Sequence, residues 1–132
     1  MLRQRKAGRF TQGKRKGMRP AGKKTTMNKQ ESNYATHLRH LAETSQIVDW
    51  MYEPFGLRLA QYRCHYHPDF FVTYEDHFEV HEVKAFSKKT GKPRWEDDAI
   101  IKFKVAANLF PYWKFKIVYF NSVKQLWEEL EF

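Results

Sequence analysis

Apolar positions change period several times along the chain, and each change marks an element. From Asn28 to Thr44, Tyr34, Leu38, Leu41 and Ala42 recur at helical spacing, and Asn28 is suited to cap the helix start. Ile47 to Leu59 carries Trp50, Tyr52, Phe55 and Leu57, the pattern of a strand interrupted at Pro54-Phe55-Gly56. Arg63 to Tyr74 reads as a second strand, Glu75-Asp76 as a polar turn and Phe78 to Phe86 as a third strand, so that the last two form a hairpin. Ser87 to Arg94 is a polar, basic loop containing Gly91 and Pro93. Trp95 to Phe110 places Ala99, Phe103, Ala106 and Phe110 on one helical face, and Pro111 stops it. Lys114 to Phe120 predicts a fourth strand and Ser122 to Leu130 a last helix. The expected order is αβββαβα, an α/β (or α+β) fold with helices flanking a mixed central sheet.

Composition adds a boundary. The chain has 132 residues, 42% of them hydrophobic and 17% aromatic, enough for one cored domain. No apolar run approaches the roughly 20 residues of a membrane span, and the basic N-terminus lacks the apolar stretch of a secretory signal, so no membrane partner is expected. Cys64 is the single cysteine, which excludes an internal disulfide and makes a reducing, cytoplasmic setting the expectation.

The net charge of +9 is concentrated at one end. Residues 1–30 contain 11 of the 24 Lys and Arg and no acid, leaving 13 basic residues against all 15 acids elsewhere, a balance of −2. Residues 1–27 therefore read as a disordered basic tail and residues 28–132 as the folded domain. A polycation of this kind suits nucleic acid phosphates, with Arg3, Arg5, Lys6, Arg9, Lys14, Arg15 and Lys16 as contacts. A solubilising role or an anionic-membrane tether is the plainer alternative. Met18 and Met27 are also available as internal starts.

Three residues carry candidate chemistry. Asp69 closes one apolar run, and Glu82 and Lys84 lie thirteen and fifteen residues later in the next. Alternation points Glu82 and Lys84 the same way, and hairpin pairing would bring Asp69 beside them. Hard cations such as Mg²⁺ prefer carboxylate oxygens, which Asp69 and Glu82 supply, and the backbone carbonyl of Val83 offers another. Lys84 is placed to orient water or to stabilise charge at phosphorus. An acid at a strand end and a Glu-x-Lys pair are equally common on solvated sheets; the apolar flanks Phe70-Phe71-Val72, Val80 and Val83 favour central strands instead. Glu31 falls on the apolar stripe of the first helix and has two readings, a third acid for the site or the N3 residue of a capping box with Asn28, the second being the simpler. Cys64, His65, His67, His77 and His81 match no familiar zinc-ligand spacing. His65, His67 and Asp69 share a face by alternation, giving His67 a supporting role, whereas His81 faces away from Glu82 and reads as structural.

Pro68-Asp69, thirteen residues to Glu82, then Val83-Lys84, resembles the PD-(D/E)xK nuclease superfamily, with its restriction-endonuclease-like core. The order of the segment around Asp69, the segment around Glu82 and Lys84, and the stretch from Trp95 to Phe120 is similar to that of phage Holliday-junction-resolving endonuclease I and related phage nucleases. Glu31 matches the extra N-terminal acid of the resolvase-like branches. Ala85 departs from the glycine many relatives carry there, and Ser87 to Arg94 is an insertion. The resemblance implies a Mg²⁺-dependent endonuclease, with Mn²⁺ substituting. Asp69, Glu82, Val83 and Glu31 would serve the metal, Lys84 the attacking water, and Lys88, Lys89, Lys92, Arg94 and Lys102 the phosphates. The implied substrate is branched or junction DNA in phage recombination or DNA processing, in the host cytoplasm. Junction cleavage in that family uses a homodimer, although no dimer interface is legible. The competing reading is a nucleic-acid-binding protein that keeps the fold without catalysis.

Overall fold

A computed structural model describes residues 26–132. The tail candidates Arg3, Arg5, Lys6, Arg9, Lys14, Arg15 and Lys16 lie outside the described residues. Met27, placed with the tail by composition, packs against the core.

The first helix, α1 (Lys29–Glu43), starts at Asn28 and ends at Thr44. Then come β1 (Asp49–Tyr52), β2 (Leu57–Ala60), β3 (Cys64–Tyr66), β4 (Phe70–Thr73), β5 (Phe78–Val83), β6 (Phe86–Ser87) and β7 (Lys92–Pro93). The second helix, α2 (Asp97–Leu109), is followed by β8 (Lys114–Asn121) and β9 (Leu126–Glu131). Five strands form one mixed sheet in the order β1-β4-β5-β8-β9, while β2-β3 and β6-β7 are separate two-stranded ribbons. Within the sheet only β5 and β8 run parallel, joined by the crossover through α2. The architecture is mixed α+β, compatible with the α/β class expected.

Strand alternation divides the core in two. On one face, Tyr34, Ala35 and Leu38 of α1 pack on Phe70, Val72, Val83 and Val118. On the other, Ile100, Phe103 and Ala106 of α2 pack on Phe71, Val80, Phe115 and Ile117. Phe103 and Phe115 are fully buried, each worth roughly 1.5–3 kcal/mol relative to exposure. Strands β4 and β5 are thus central, as their apolar flanks indicate. Among the described residues no helix is long and apolar enough to cross a membrane.

Two expectations require correction. The continuous strand from Arg63 to Tyr74 is divided at His67-Pro68-Asp69, and its halves join different sheets. Proline has no N–H to give a central ladder and fixes its own φ, so it ends one strand and redirects the chain into the next. The last helix, expected over Ser122 to Leu130, is a tight turn followed by β9, so the order does not end in a helix. Val123, Leu126, Trp127 and Leu130 do recur at helical spacing, but Asn121 sets a turn first. Its side-chain oxygen accepts from the N–H of Val123 and of Lys124, both at 3.0 Å, and Gln125 N–H donates to the Asn121 carbonyl at 2.7 Å. Reversed there, the chain pairs antiparallel with β8 from Asn121↔Leu126 to Lys116↔Glu131 and covers an edge of backbone groups left open by a helix.

Candidate active site

Antiparallel pairing of β4 with β5 sets Phe70 opposite His81, which leaves Asp69 just beyond the register, beside Glu82 and Val83. Asp69 is 8% exposed, and its Oδ2 accepts a 2.9 Å hydrogen bond from the Val83 N–H. The Asp69 carbonyl accepts from Glu53 N–H at 2.8 Å, tying this corner to the end of β1. Glu82 and Lys84 lie on the α2 side, their charged ends 3.2 Å apart. Lys84 N–H donates to the Val118 carbonyl at 2.9 Å, which fixes the chain where β5 leaves the sheet. Asp69, Glu82 and Lys84 are therefore gathered at one corner, the two carboxyl-bearing segments linked through the Val83 amide.

Tyr66 completes this corner and was not among the residues singled out from the sequence. Its hydroxyl donates to Glu82 Oε1 at 2.5 Å. Burial, and then the charges of Glu82 and Asp69, push the phenol pKa well above its ordinary value, so it remains a donor throughout the accessible pH range. Only its place four residues before Phe70, on the buried side of β3, hinted at a role.

Glu31 is elsewhere. Asn28 and Glu31 form a complete capping box, with Glu31 N–H to Asn28 Oδ1 at 2.8 Å and Asn28 N–H to Glu31 Oε2 at 2.9 Å. Glu31 is 2% exposed and its Oε2 also accepts from the Tyr52 hydroxyl at 2.7 Å. Burial, then hydrogen bonds to Glu53 and Glu31, raise the Tyr52 pKa. This carboxylate is on the α1 side of the sheet, opposite the side that carries Glu82 and Lys84. Among the described residues, no group of three or more His, Cys, Asp or Glu is arranged to hold a metal ion. The donor chemistry at the corner, two carboxylates and a backbone carbonyl, still suits a hard divalent cation.

The basic loop expected from Ser87 to Arg94 forms the β6-β7 ribbon, joined to the site by the Arg94 N–H to Ala85 carbonyl bond at 2.8 Å. Lys88, Lys89, Lys92 and Arg94 are exposed there, and Lys102 is exposed on α2. An open cleft of about 540 Å³ beside the site is lined by Lys84, Arg94, Trp95, Glu96 and Ala99. His65 and His67 lie side by side, ring centroids 6.3 Å apart. His67 packs on Gly56 so closely that a Cβ there would come within 2.7 Å of the ring and force it to shift.

The α1 side holds a second buried polar cluster, foreshadowed only by the alternation His77-x-Glu79-x-His81. Glu79, 2% exposed, accepts from His81 at 2.8 Å and His77 at 2.6 Å and pairs with Lys116 at 3.1 Å. Lys116 reaches on to Glu129 at 2.9 Å, and His81 Nδ1 meets the Tyr34 hydroxyl at 2.7 Å. Desolvation works to raise the Glu79 pKa, but the bonds from His81, His77 and Lys116 outweigh it and bring it down to about 2. His81 thus faces away from Glu82, as alternation required, inside a network that ties α1 to β5, β8 and β9.

No protein-family model, no curated protein and no solved structure matches the chain.

Proposed function

We propose that this protein is a metal-dependent endodeoxyribonuclease of the PD-(D/E)xK type, hydrolysing phosphodiester bonds with Mg²⁺ or Mn²⁺ and preferring branched or junction DNA. The supporting observation is the meeting of Asp69, Glu82 and Lys84 at the ends of two central strands, linked through the Val83 amide and bordered by a basic ribbon. Asp69, Glu82 and the Val83 carbonyl would hold the cation, which when bound supplies an activated water and neutralises charge at phosphorus. Lys84, in contact with Glu82, orients the attacking water and offsets the charge that develops on the phosphoryl oxygens. Tyr66 holds Glu82 in place from the buried side. Lys88, Lys89, Lys92 and Arg94 bear on the backbone phosphates, with Lys102 further along α2. Phage recombination or DNA processing in the host cytoplasm is the setting this chemistry suits, and a homodimer would match the two cuts of a junction.

A non-catalytic nucleic-acid-binding role is the second reading, favoured by one observation: both Glu82 oxygens already have partners, Oε1 in Tyr66 and Oε2 in Lys84. Cleavage of supercoiled plasmid and of a synthetic four-way junction decides between the two. Wild type is expected to cut in Mg²⁺ or Mn²⁺ and to stop with chelator, while Asp69→Ala and Lys84→Ala bind without cutting. A wild-type protein that binds both DNAs and cuts neither in either metal would leave only the binding role.

A further inference from the structure

The β2-β3 ribbon ends in a feature that packing does not account for. Its stem is anchored: Leu57 and Tyr66 are buried in the α2-side core, and the Tyr66 ring meets Phe103 edge-on with centroids 5.9 Å apart. Its tip is bare. Tyr62 is 94% exposed, more than any other large apolar residue described. Tyr62 and Arg63 also adopt left-handed backbone, with φ of 62° and 64°. Such a turn ordinarily takes Asn-Gly, because bulky side chains crowd the following carbonyl there. The tip therefore retains an exposed aromatic and an arginine in a conformation that both residues disfavour. Strain of this kind clusters at ligand-binding and other functional sites.

The surroundings indicate a ligand. Arg58 and Arg63 are exposed on the same ribbon as Tyr62, so an exposed ring and two cations share one short element, the combination that holds single-stranded nucleic acid: bases stack on the aromatic and phosphates meet the charges. The ribbon joins the candidate active site directly, since Tyr66 in its stem donates to Glu82. Tyr62 is four residues from Tyr66, at most about 13 Å at the rise of a strand, or up to about four nucleotides.

We propose that Tyr62 stacks on an unpaired base of the nucleic acid held at the Glu82–Lys84 corner, so that this ribbon selects substrates with unpaired bases near the scissile bond over continuous duplex. Bases inside a duplex already stack on their neighbours and offer no free face. The inference rests on the nuclease reading for its substrate, but its test does not require cleavage.

The full chain is titrated, with chelator present, against a fluorescently labelled 20-nucleotide single strand and the matching duplex, and anisotropy is read. Tyr62→Ala is expected to lose about 5- to 150-fold in affinity for the single strand, the range of one base–aromatic stack, and to change little on duplex. Tyr62→Phe keeps the ring and retains binding. The double variant Tyr62→Asn with Arg63→Gly relieves the turn, so it unfolds at a higher temperature than wild type yet shows the single-strand loss. Unchanged single-strand affinity in Tyr62→Ala or in the double variant overturns the inference, as does a Tyr62→Ala loss equal on both DNAs. In either case the nuclease reading stands or falls on metal-dependent cleavage alone. Stacking-dependent binding without cleavage in Mg²⁺ or Mn²⁺ keeps the inference and removes the nuclease. A wild type that binds neither DNA overturns the inference, and the nuclease reading is then decided by cleavage of the four-way junction.

Discussion

Replacing Glu79 by Gln should destabilise the fold more than any change at the candidate active site. The substitution keeps size and shape but removes a buried negative charge that faces three cationic or protonatable groups: Lys116 at 3.1 Å, His81 at 2.8 Å and His77 at 2.6 Å. The structure sets the scale. The Glu79 pKa falls from its ordinary 4.5 to about 2, and at about 1.4 kcal/mol per tenfold change in proton affinity this gap contributes about 3 kcal/mol to folding. Removing one partner of a buried ionic cluster costs about 3–5 kcal/mol in general, which agrees. For a domain near 100 residues the melting temperature moves about 4–8 °C per kcal/mol, so a drop of roughly 12–24 °C is expected at neutral pH. The pH dependence carries the sign. A lowered carboxylate pKa stabilises above the unfolded value of 4.5, and the contribution disappears as pH falls through about 2. His77 behaves oppositely. Its pKa is raised by hydrogen bonds to Asp76 and Glu79, so its contribution is present below 6.5 and is lost as pH rises through the raised value. The assay is urea unfolding followed by tryptophan fluorescence at several pH values, for wild type, Glu79→Gln and, as a control, Asp76→Asn. The Asp76 carboxylate is 87% exposed, and its loss should leave the midpoint near that of wild type. A neutral-pH loss from Glu79→Gln below about 1 kcal/mol, the size of an exposed pair, would refute the reasoning. So would a gap between wild type and variant that stays constant as pH falls from 4.5 to about 2.

Other expectations concern the site and its supports. Tyr66→Phe removes the 2.5 Å bond to Glu82 and should cost about 1.5–3 kcal/mol in urea unfolding, the range for a bond to a charged group; a neutral change would mean that the phenol does not hold Glu82. Asn28→Ala opens the capping box and should cost about 1 kcal/mol, read as a lower thermal midpoint by circular dichroism. Changing Lys88, Lys89, Lys92 and Arg94 together to Ala should flatten the dependence of log affinity on log salt by about 2–4, as phosphate contacts worth about 0.9 each are lost. An unaltered slope would exclude this ribbon from the nucleic-acid interface.

Local pattern was enough to locate α1 together with its cap, α2 together with its stop at Pro111, the β4-β5 hairpin, and the pairing of Glu82 with Lys84. Each of these depends on interactions within a few residues or on strand alternation, which a sequence displays directly. Long-range pairing decided the rest. Val123, Leu126, Trp127 and Leu130 follow a helical period, yet β8 offered an unpaired edge, and Asn121 turned the chain back onto it. Glu31 reads more simply as a cap than as a site residue, but its further partner, the Tyr52 hydroxyl, comes from a strand 21 residues away and is not visible in the local pattern. Tyr66 gains its place at Glu82 only because Pro68 diverts the chain out of one sheet and into another. Lys116 gains its 3.1 Å contact with Glu79 only because β5 and β8 are paired in the sheet. Chain-local forces choose elements, whereas partners for buried charges are chosen by which surfaces the packed sheet brings together, and that choice involves segments a linear pattern does not connect.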